Sequence, residues 1–154
     1  MRIRLLTVGK PRDPRLVTLT EEYLSRLPGW QWQWDWIKDE AHGDDAVERT
    51  LRDEKERLTS RIKPDDYLVL LDVEGQAVTS PQLAERLAKW LQAGRRVTFL
   101  VGGSYGVHSD LQRRADWRWS LSQLTFPHAL VPLLVSEQIY RAWTIMKGHP
   151  YHKA

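Results

Sequence analysis

The segment Gly102-Gly103-Ser104-Tyr105-Gly106-Val107-His108 has both the residue types and the placement for chemistry. It follows the apolar run Val97-Thr98-Phe99-Leu100-Val101 and precedes a short helical pattern. In an open α/β sheet, ligands sit outside the carboxyl ends of the strands, where glycines let backbone N–H groups approach closely. The dinucleotide pattern G-x-G-x-x-G is absent, and Gly9-Lys10 runs into Pro11 instead of completing a phosphate loop. The same segment satisfies G-x-S-x-G, the elbow of serine hydrolases, with Ser104 as nucleophile, Asp110 or Asp116 as acid and His128 as base in the right chain order. Against a hydrolase, the chain after Ser104 has little room for the strands and loops that present those partners.

A second set of reactive side chains lies near the end of the chain. Arg141 falls on an apolar helical pattern, where an unpaired charge is costly. Glu137, one turn earlier, is a ready partner, and a phosphate or base contact is the alternative. In Tyr151-His152-Lys153 a stacking ring, a titratable imidazole and an ammonium adjoin, a set that suits RNA, the alternative being a frayed terminus. His128 and His152 could each take a proton from a substrate, although His128 also fits as a helix cap or a pocket wall.

Strands and helices must hold these groups. Strand patterns cover Arg2 to Val8, Trp30 to Ile37, Tyr67 to Val73, Val97 to Val101 and Trp117 to Leu121. Helical patterns cover Pro14 to Leu27, Asp44 to Ile62, Pro81 to Ala93, Ser109 to Ala115 and His128 to Lys147. This alternation predicts an α/β domain with a mostly parallel sheet flanked by helices. Trp30-Gln31-Trp32-Gln33-Trp34-Asp35-Trp36 alternates strictly, so that strand belongs at a sheet edge with one wet face, whereas the runs around Leu68 to Leu71 and Val97 to Val101 suit central strands. Ser80 is placed to cap the third helix, with Pro81 at its first position and Gly94 past its end. The charges of the second helix read as a solvated face. The last helix carries more apolar residues than one core face needs, which predicts contact with a second subunit.

The composition narrows the class further. A chain of 154 residues suits one domain, 1–154. It has no cysteine, so a disulfide framework and a thiolate metal site are excluded, and no metal is expected. No apolar run approaches a membrane span, and the stretch at Met1 to Leu6 is too short for a signal peptide, so a cytoplasmic protein off the membrane is expected. The formal net charge of +3 permits phosphate contact without suggesting a nucleic-acid tail. The eight tryptophans mostly fall at strand positions and suit packing better than base stacking. A non-catalytic RNA-binding module remains a third reading beside a ligand-dependent enzyme and a hydrolase.

Four segments taken together carry a resemblance: Gly102-Gly103-Ser104-Tyr105-Gly106, Leu121 through Val131 (LSQLTFPHALV), Tyr140-Arg141-Ala142-Trp143, and His149-Pro150-Tyr151-His152-Lys153. With the opening Leu6-Thr7-Val8-Gly9-Lys10 they closely resemble the large-subunit ribosomal-RNA methyltransferase H family of the SPOUT superfamily. The resemblance implies a C-terminal trefoil knot, an exception to the rule against knotted chains, whose walls bind S-adenosylmethionine. It places the cofactor among Leu71, Gly102, Gly103, Leu121, Ser122, Gln123, Leu124, Thr125 and Phe126. It also implies a homodimer that methylates N3 of a pseudouridine in large-subunit (23S) rRNA on the assembled ribosome, with Arg141, Tyr151 and His152 as catalytic candidates. On this reading bulk at Gly102 blocks the cofactor.

Overall fold

The computed structural model describes residues 1–39 and 46–153. Five strands, β1 (Arg2–Val8), β2 (Gln31–Ile37), β3 (Tyr67–Ala77), β4 (Arg96–Val101) and β5 (Trp117–Ser120), form one sheet in the order β2-β1-β4-β3-β5. Every neighbouring pair is parallel. Parallel neighbours need crossover connections. These carry α1 (Pro14–Ser25), α2 (Val47–Thr59), α3 (Ser80–Gln92) and α4 (Ser109–Arg114). A 3₁₀ turn at His128–Leu130 leads into α5 (Val131–Lys147), and a second follows at Pro150–His152. The expected α/β architecture is therefore observed. The third strand runs beyond the expected Val73 to Ala77, the fifth stops short of Leu121, and the expected start of the second helix at Asp44 lies outside the described residues.

The inner strands read as continuous apolar runs because each supplies both faces of the sheet. Leu5, Val69 and Phe99 point into the layer filled by Leu24 of α1, Leu83 and Trp90 of α3, and Val135 and Ile139 of α5. Leu6, Leu68 and Leu100, one residue out of phase, point into the layer filled by Leu58 of α2 and Leu111 of α4. Both layers are dry, as period-2 geometry requires when helices cover both faces. β2 keeps the alternation of an edge strand: Trp34 is buried with its Nε1 donating to Thr7 Oγ1 at 3.1 Å, while Gln31 and Gln33 are exposed.

Two local arrangements differ from the sequence expectation. The cap of α3 is Thr79, one residue before Ser80: Thr79 Oγ1 accepts from the Gln82 N–H and the Gln82 side chain accepts from the Thr79 N–H, a reciprocal capping box. Ser80 instead donates to Gln138 of α5 at 2.8 Å. In β3 the ladder breaks, so that Trp119 pairs with both Leu71 and Gln76. Within that bulge Gly75 lies so close to the backbone of β5 that a Cβ would sit 2.6 Å from the Arg118 carbonyl group. No side chain fits there, so this glycine permits a close approach of β3 to β5 that no turn signal announced.

Candidate functional site

A cavity of about 330 Å³ opens at the carboxyl ends of β3, β4 and β5. Its walls are Leu71 to Val73 after β3, Val101 to Ser104 with Gly106 after β4, and Leu121, Ser122 and Leu124 to Phe126 after β5. His128 and Val131, at the start of α5, close it. All cofactor candidates named from the resemblance line this cavity except Gln123, which is exposed outside it. Asp72, Val73, His128 and Val131 join the wall without having been expected as cofactor contacts. Asp72 and Val73 directly follow Leu71, where the β3 ladder with β5 breaks.

The walls are fixed by their own hydrogen bonds. In the glycine loop the Gly106 N–H donates to the Gly103 carbonyl at 3.0 Å, which folds the loop back on itself. A Cβ on Gly102 would lie 2.7 Å from Val107 Cγ1 and 2.8 Å from the Gly106 carbonyl oxygen, so this turn requires glycine at 102. In the segment after β5, Ser120 Oγ donates to the Ser122 carbonyl at 3.0 Å and Ser122 Oγ accepts from the Leu124 N–H at 3.0 Å. Asp72 is held by Arg118 Nε and Nη2 at 2.8 and 2.5 Å. His128 Nε2 lies 2.7 Å from the Val8 carbonyl. That oxygen can only accept, so Nε2 carries the proton and His128 ties the start of α5 to β1 as a cavity wall.

Behind the glycine loop lies a charge that the sequence reading assigned to solvent. Thr50, Glu54 and Leu58 form the buried stripe of α2 at four-residue spacing, and the Glu54 carboxylate sits 3.5 and 3.6 Å from where a Gly103 Cβ would be. Burial and then the nearby Asp39 raise the Glu54 carboxyl to about 7, with Arg57 opposing them. Its native value exceeds the unfolded value of 4.5, so between those pH values the folded chain binds more protons and its stability falls as pH rises. Glu54→Gln is expected to remove this loss. Thermal melts should give equal midpoints for parent and variant at pH 4.5 and a variant midpoint higher by ~3 °C or more at pH 8. A difference independent of pH would refute the assignment.

The catalytic candidates assemble elsewhere. Arg141 Nε and Nη2 donate to Glu137 Oε1 at 2.9 and 2.6 Å, and Nη1 donates to the His152 carbonyl at 3.3 Å. The Tyr151 hydroxyl donates to Glu137 Oε1 at 3.2 Å and lies 3.3 Å from the Tyr23 hydroxyl, while its ring meets Tyr140 edge-on at 4.7 Å. The tail is therefore docked as far as His152, and Glu137, read from sequence only as a salt-bridge partner, is its hub. Burial first, then the Tyr23 bond and the Glu137 charge, push the Tyr151 hydroxyl far above the usual phenol range. The Glu137 bond raises the already high value of the Arg141 guanidinium and fixes its orientation. His152 Nδ1 is buried with no hydrogen-bond partner among the described residues. None of these three candidates lines the cavity: Arg141 lies ten residues along α5 from Val131, about 15 Å at the helical rise.

The hydrolase arrangement is not assembled. Ser104 is exposed on the cavity rim, His128 is engaged by the Val8 carbonyl, Asp110 pairs with Lys55 and Arg113, and Asp116 pairs with Arg114. Among the described residues no group of three or more His, Asp or Glu side chains could hold a metal ion. Nor is any of their helices long and apolar enough to cross a membrane.

A parallel α/β domain with a folded glycine loop and a cavity at its carboxyl strand ends is the arrangement in which open α/β sheets bind a small organic ligand or cofactor. The family described as "Predicted SPOUT methyltransferase" matches residues 1–152, and the chain belongs to it. The protein named ribosomal RNA large subunit methyltransferase H from Pseudomonas aeruginosa strain UCBPP-PA14 is 44% identical over 156 residues, covering 99% of this chain and 100% of the relative. Its namesake from Alkalilimnicola ehrlichii is 44% identical over 155 residues, covering 100% of both chains, and that from Pseudomonas putida strain KT2440 is 41% identical, covering 99% and 100%.

Proposed function

We propose that this protein is an S-adenosylmethionine-dependent methyltransferase that modifies N3 of a pseudouridine in large-subunit ribosomal RNA, acting in the cytoplasm on the assembled ribosome. The observation that carries the reading is the cavity: the loops after β3, β4 and β5 converge on it in a chain that belongs to a methyltransferase family. Its residues fit the cofactor. Leu71, Leu121, Leu124 and Phe126 offer apolar cover to an adenine ring, and the glycines leave room and N–H groups for polar ends. The deep trefoil knot belongs to the same reading, as an implication of the family to which the chain belongs.

When bound, S-adenosylmethionine supplies an activated methyl group, so the protein's task is alignment and removal of one proton. We assign that proton to His152, whose Nδ1 is buried and unpartnered among the described residues. Arg141, oriented by Glu137, is assigned to a carbonyl oxygen of the base, where it stabilises the charge left on N3. Tyr151 acts as a donor that fixes the tail, since its raised hydroxyl keeps its proton.

Arg141 and His152 lie outside their own chain's cavity, so a second copy completes the site. Val73, Leu124 and Phe126 are 54%, 70% and 36% exposed at the cavity mouth, and Leu133, Leu134, Trp143 and Met146 of α5 are half-buried. A homodimer across α5 would cover them and bring one subunit's tail to its partner's cavity. Sedimentation at micromolar concentration is expected to give a dimer, and a clean monomer would overturn the shared site. Calorimetric titration with S-adenosylmethionine, together with mapping of rRNA from cells lacking the protein, tests the activity. No binding, or a fully retained N3-methylated pseudouridine, would reject it.

A further inference from the structure

At the other end of the sheet, where the strands begin, lie three hollows of about 350 Å³ each that all share Arg2. Lys63, Arg95 and Arg96 line the middle of this groove together with the exposed Asp65, and Trp32 and Arg4, itself 3.6 Å from Asp35, line one end. We propose that it holds the phosphate backbone of the substrate RNA at a distance from the reacting base. The proposal rests on the rRNA reading above and adds a second contact surface to it.

Charge is the first support. Five cations converge from three separate segments of a chain whose formal net charge is only +3. The buried Asp66 anchors two of them, accepting from Arg96 Nε at 2.5 Å and Arg4 Nη2 at 3.2 Å, and also accepts from the Lys63 N–H at 2.9 Å. Its capacity is thereby engaged inward. Arg2, Lys63 and Arg95 are exposed and make no ion pair among the described residues. Arg4 Nε also has no hydrogen-bond partner among the described residues.

The residue types match the ligand. Guanidinium groups present planar forks of N–H donors to phosphate oxygens, and anchoring from below lowers the entropy lost on binding. Aromatic surface lies alongside: Trp32 lines the groove, and the Arg95 guanidinium sits 5.4 Å from the centre of the Tyr67 ring. Cations interleaved with rings form the usual groove for a nucleic-acid backbone. The seven residues of β1 separate the groove from the cavity end by about 20 Å at the rise of a strand. Contacts that far from the chemistry position the RNA without touching the base.

The test compares the parent with Arg2→Ala/Lys63→Ala/Arg95→Ala, three exposed side chains outside the cavity and the tail. Binding to an unmodified large-subunit rRNA transcript is measured against potassium chloride concentration, and methylation is measured on ribosomes from cells lacking the enzyme. The triple variant is expected to bind the transcript at least ~10-fold more weakly, with the slope of log affinity against log salt reduced by ~2 to 3, since each lost phosphate contact removes ~0.7 to 0.9. KM for ribosomes should rise with kcat and S-adenosylmethionine affinity unchanged, and Arg2→Lys/Arg95→Lys should restore binding because the charge returns. If the triple variant does not fold, Arg2→Ala and Lys63→Ala singly should each lower the slope by ~0.7 to 0.9. An unchanged slope and KM overturn the groove while leaving the methyltransferase reading intact. A parent that never methylates ribosomes, yet shows the slope change, rejects that reading and keeps the groove. Loss of binding to phosphatidylserine vesicles with RNA binding retained would assign the groove to a lipid surface and overturn the proposal.

Discussion

Gly102→Val is expected to abolish S-adenosylmethionine binding, by ~100-fold or more, the equivalent of ~2.7 kcal/mol. From sequence, the reason was that a side chain at 102 would fill space the cofactor needs. The structure gives a different cause. A Cβ there would meet Val107 Cγ1 at 2.7 Å and the Gly106 carbonyl at 2.8 and 2.9 Å, inside its own loop. Backbone cannot yield as a flexible side chain does, so the loop must open, carrying Gly103, Ser104 and Gly106 out of the cavity wall. The protein is expected to stay folded with a modest loss of stability, ~1 to 3 kcal/mol, the ordinary cost of overpacking. Gly103→Ala is the control. Its Cβ would approach Val8 Cγ1 at 3.2 Å, a contact relieved by a shift of a few tenths of an ångström, so binding should weaken only a few-fold. Calorimetric titration of both variants, with circular dichroism to check folding, decides the matter. Parent-like affinity in Gly102→Val would remove this loop from the cofactor site.

His152→Ala is expected to lower methylation of ribosomes by at least ~10-fold, or ~1.4 kcal/mol in the barrier, with cofactor affinity within a few-fold of the parent. The cavity and His152 share no wall within one chain, so binding and proton transfer should separate cleanly. Deleting residues 151–154 should cost more, because it also strips the Tyr151 ring from Tyr140 and its hydroxyl from Glu137. That added loss is structural and should appear as a lower melting temperature. Tyr151→Phe isolates it: the ring stays, the hydroxyl bond goes, and methylation should persist within a few-fold, since the hydroxyl is held protonated and is not the base. The comparison needs one ribosome preparation at fixed salt, because phosphate contacts weaken as salt rises. Unchanged methylation in His152→Ala would move the search for the base to His128, whose Nδ1 is left as an acceptor by the Val8 bond.

What the sequence determined by itself is what local periodicity encodes. Alternation in Trp30 to Trp36 specified an edge strand, unbroken apolar runs around Leu68 and Phe99 specified strands covered on both faces, and the glycines after Val101 marked a tight loop at a strand end. Each is a property of neighbours along the chain, where side-chain direction repeats every two or 3.6 residues. The strand order, the close approach of Gly75 to the Arg118 backbone and the burial of Glu54 beneath Gly103 depend on which elements meet, and hydropathy is silent about that. Glu54 illustrates the limit. Its charge reads as solvent-facing, yet its place between Thr50 and Leu58 on one stripe turns it inward, and only the packed α2 shows that the stripe faces the core. Arg141 and His152 could be named from the chain, but their separation from the cavity could not. That separation is set by the direction of α5, which begins at the cavity wall with Val131 and carries Arg141 about 15 Å away. The arginines at the start of the strands are likewise scattered in sequence and converge only because parallel strands all begin at one end of the sheet.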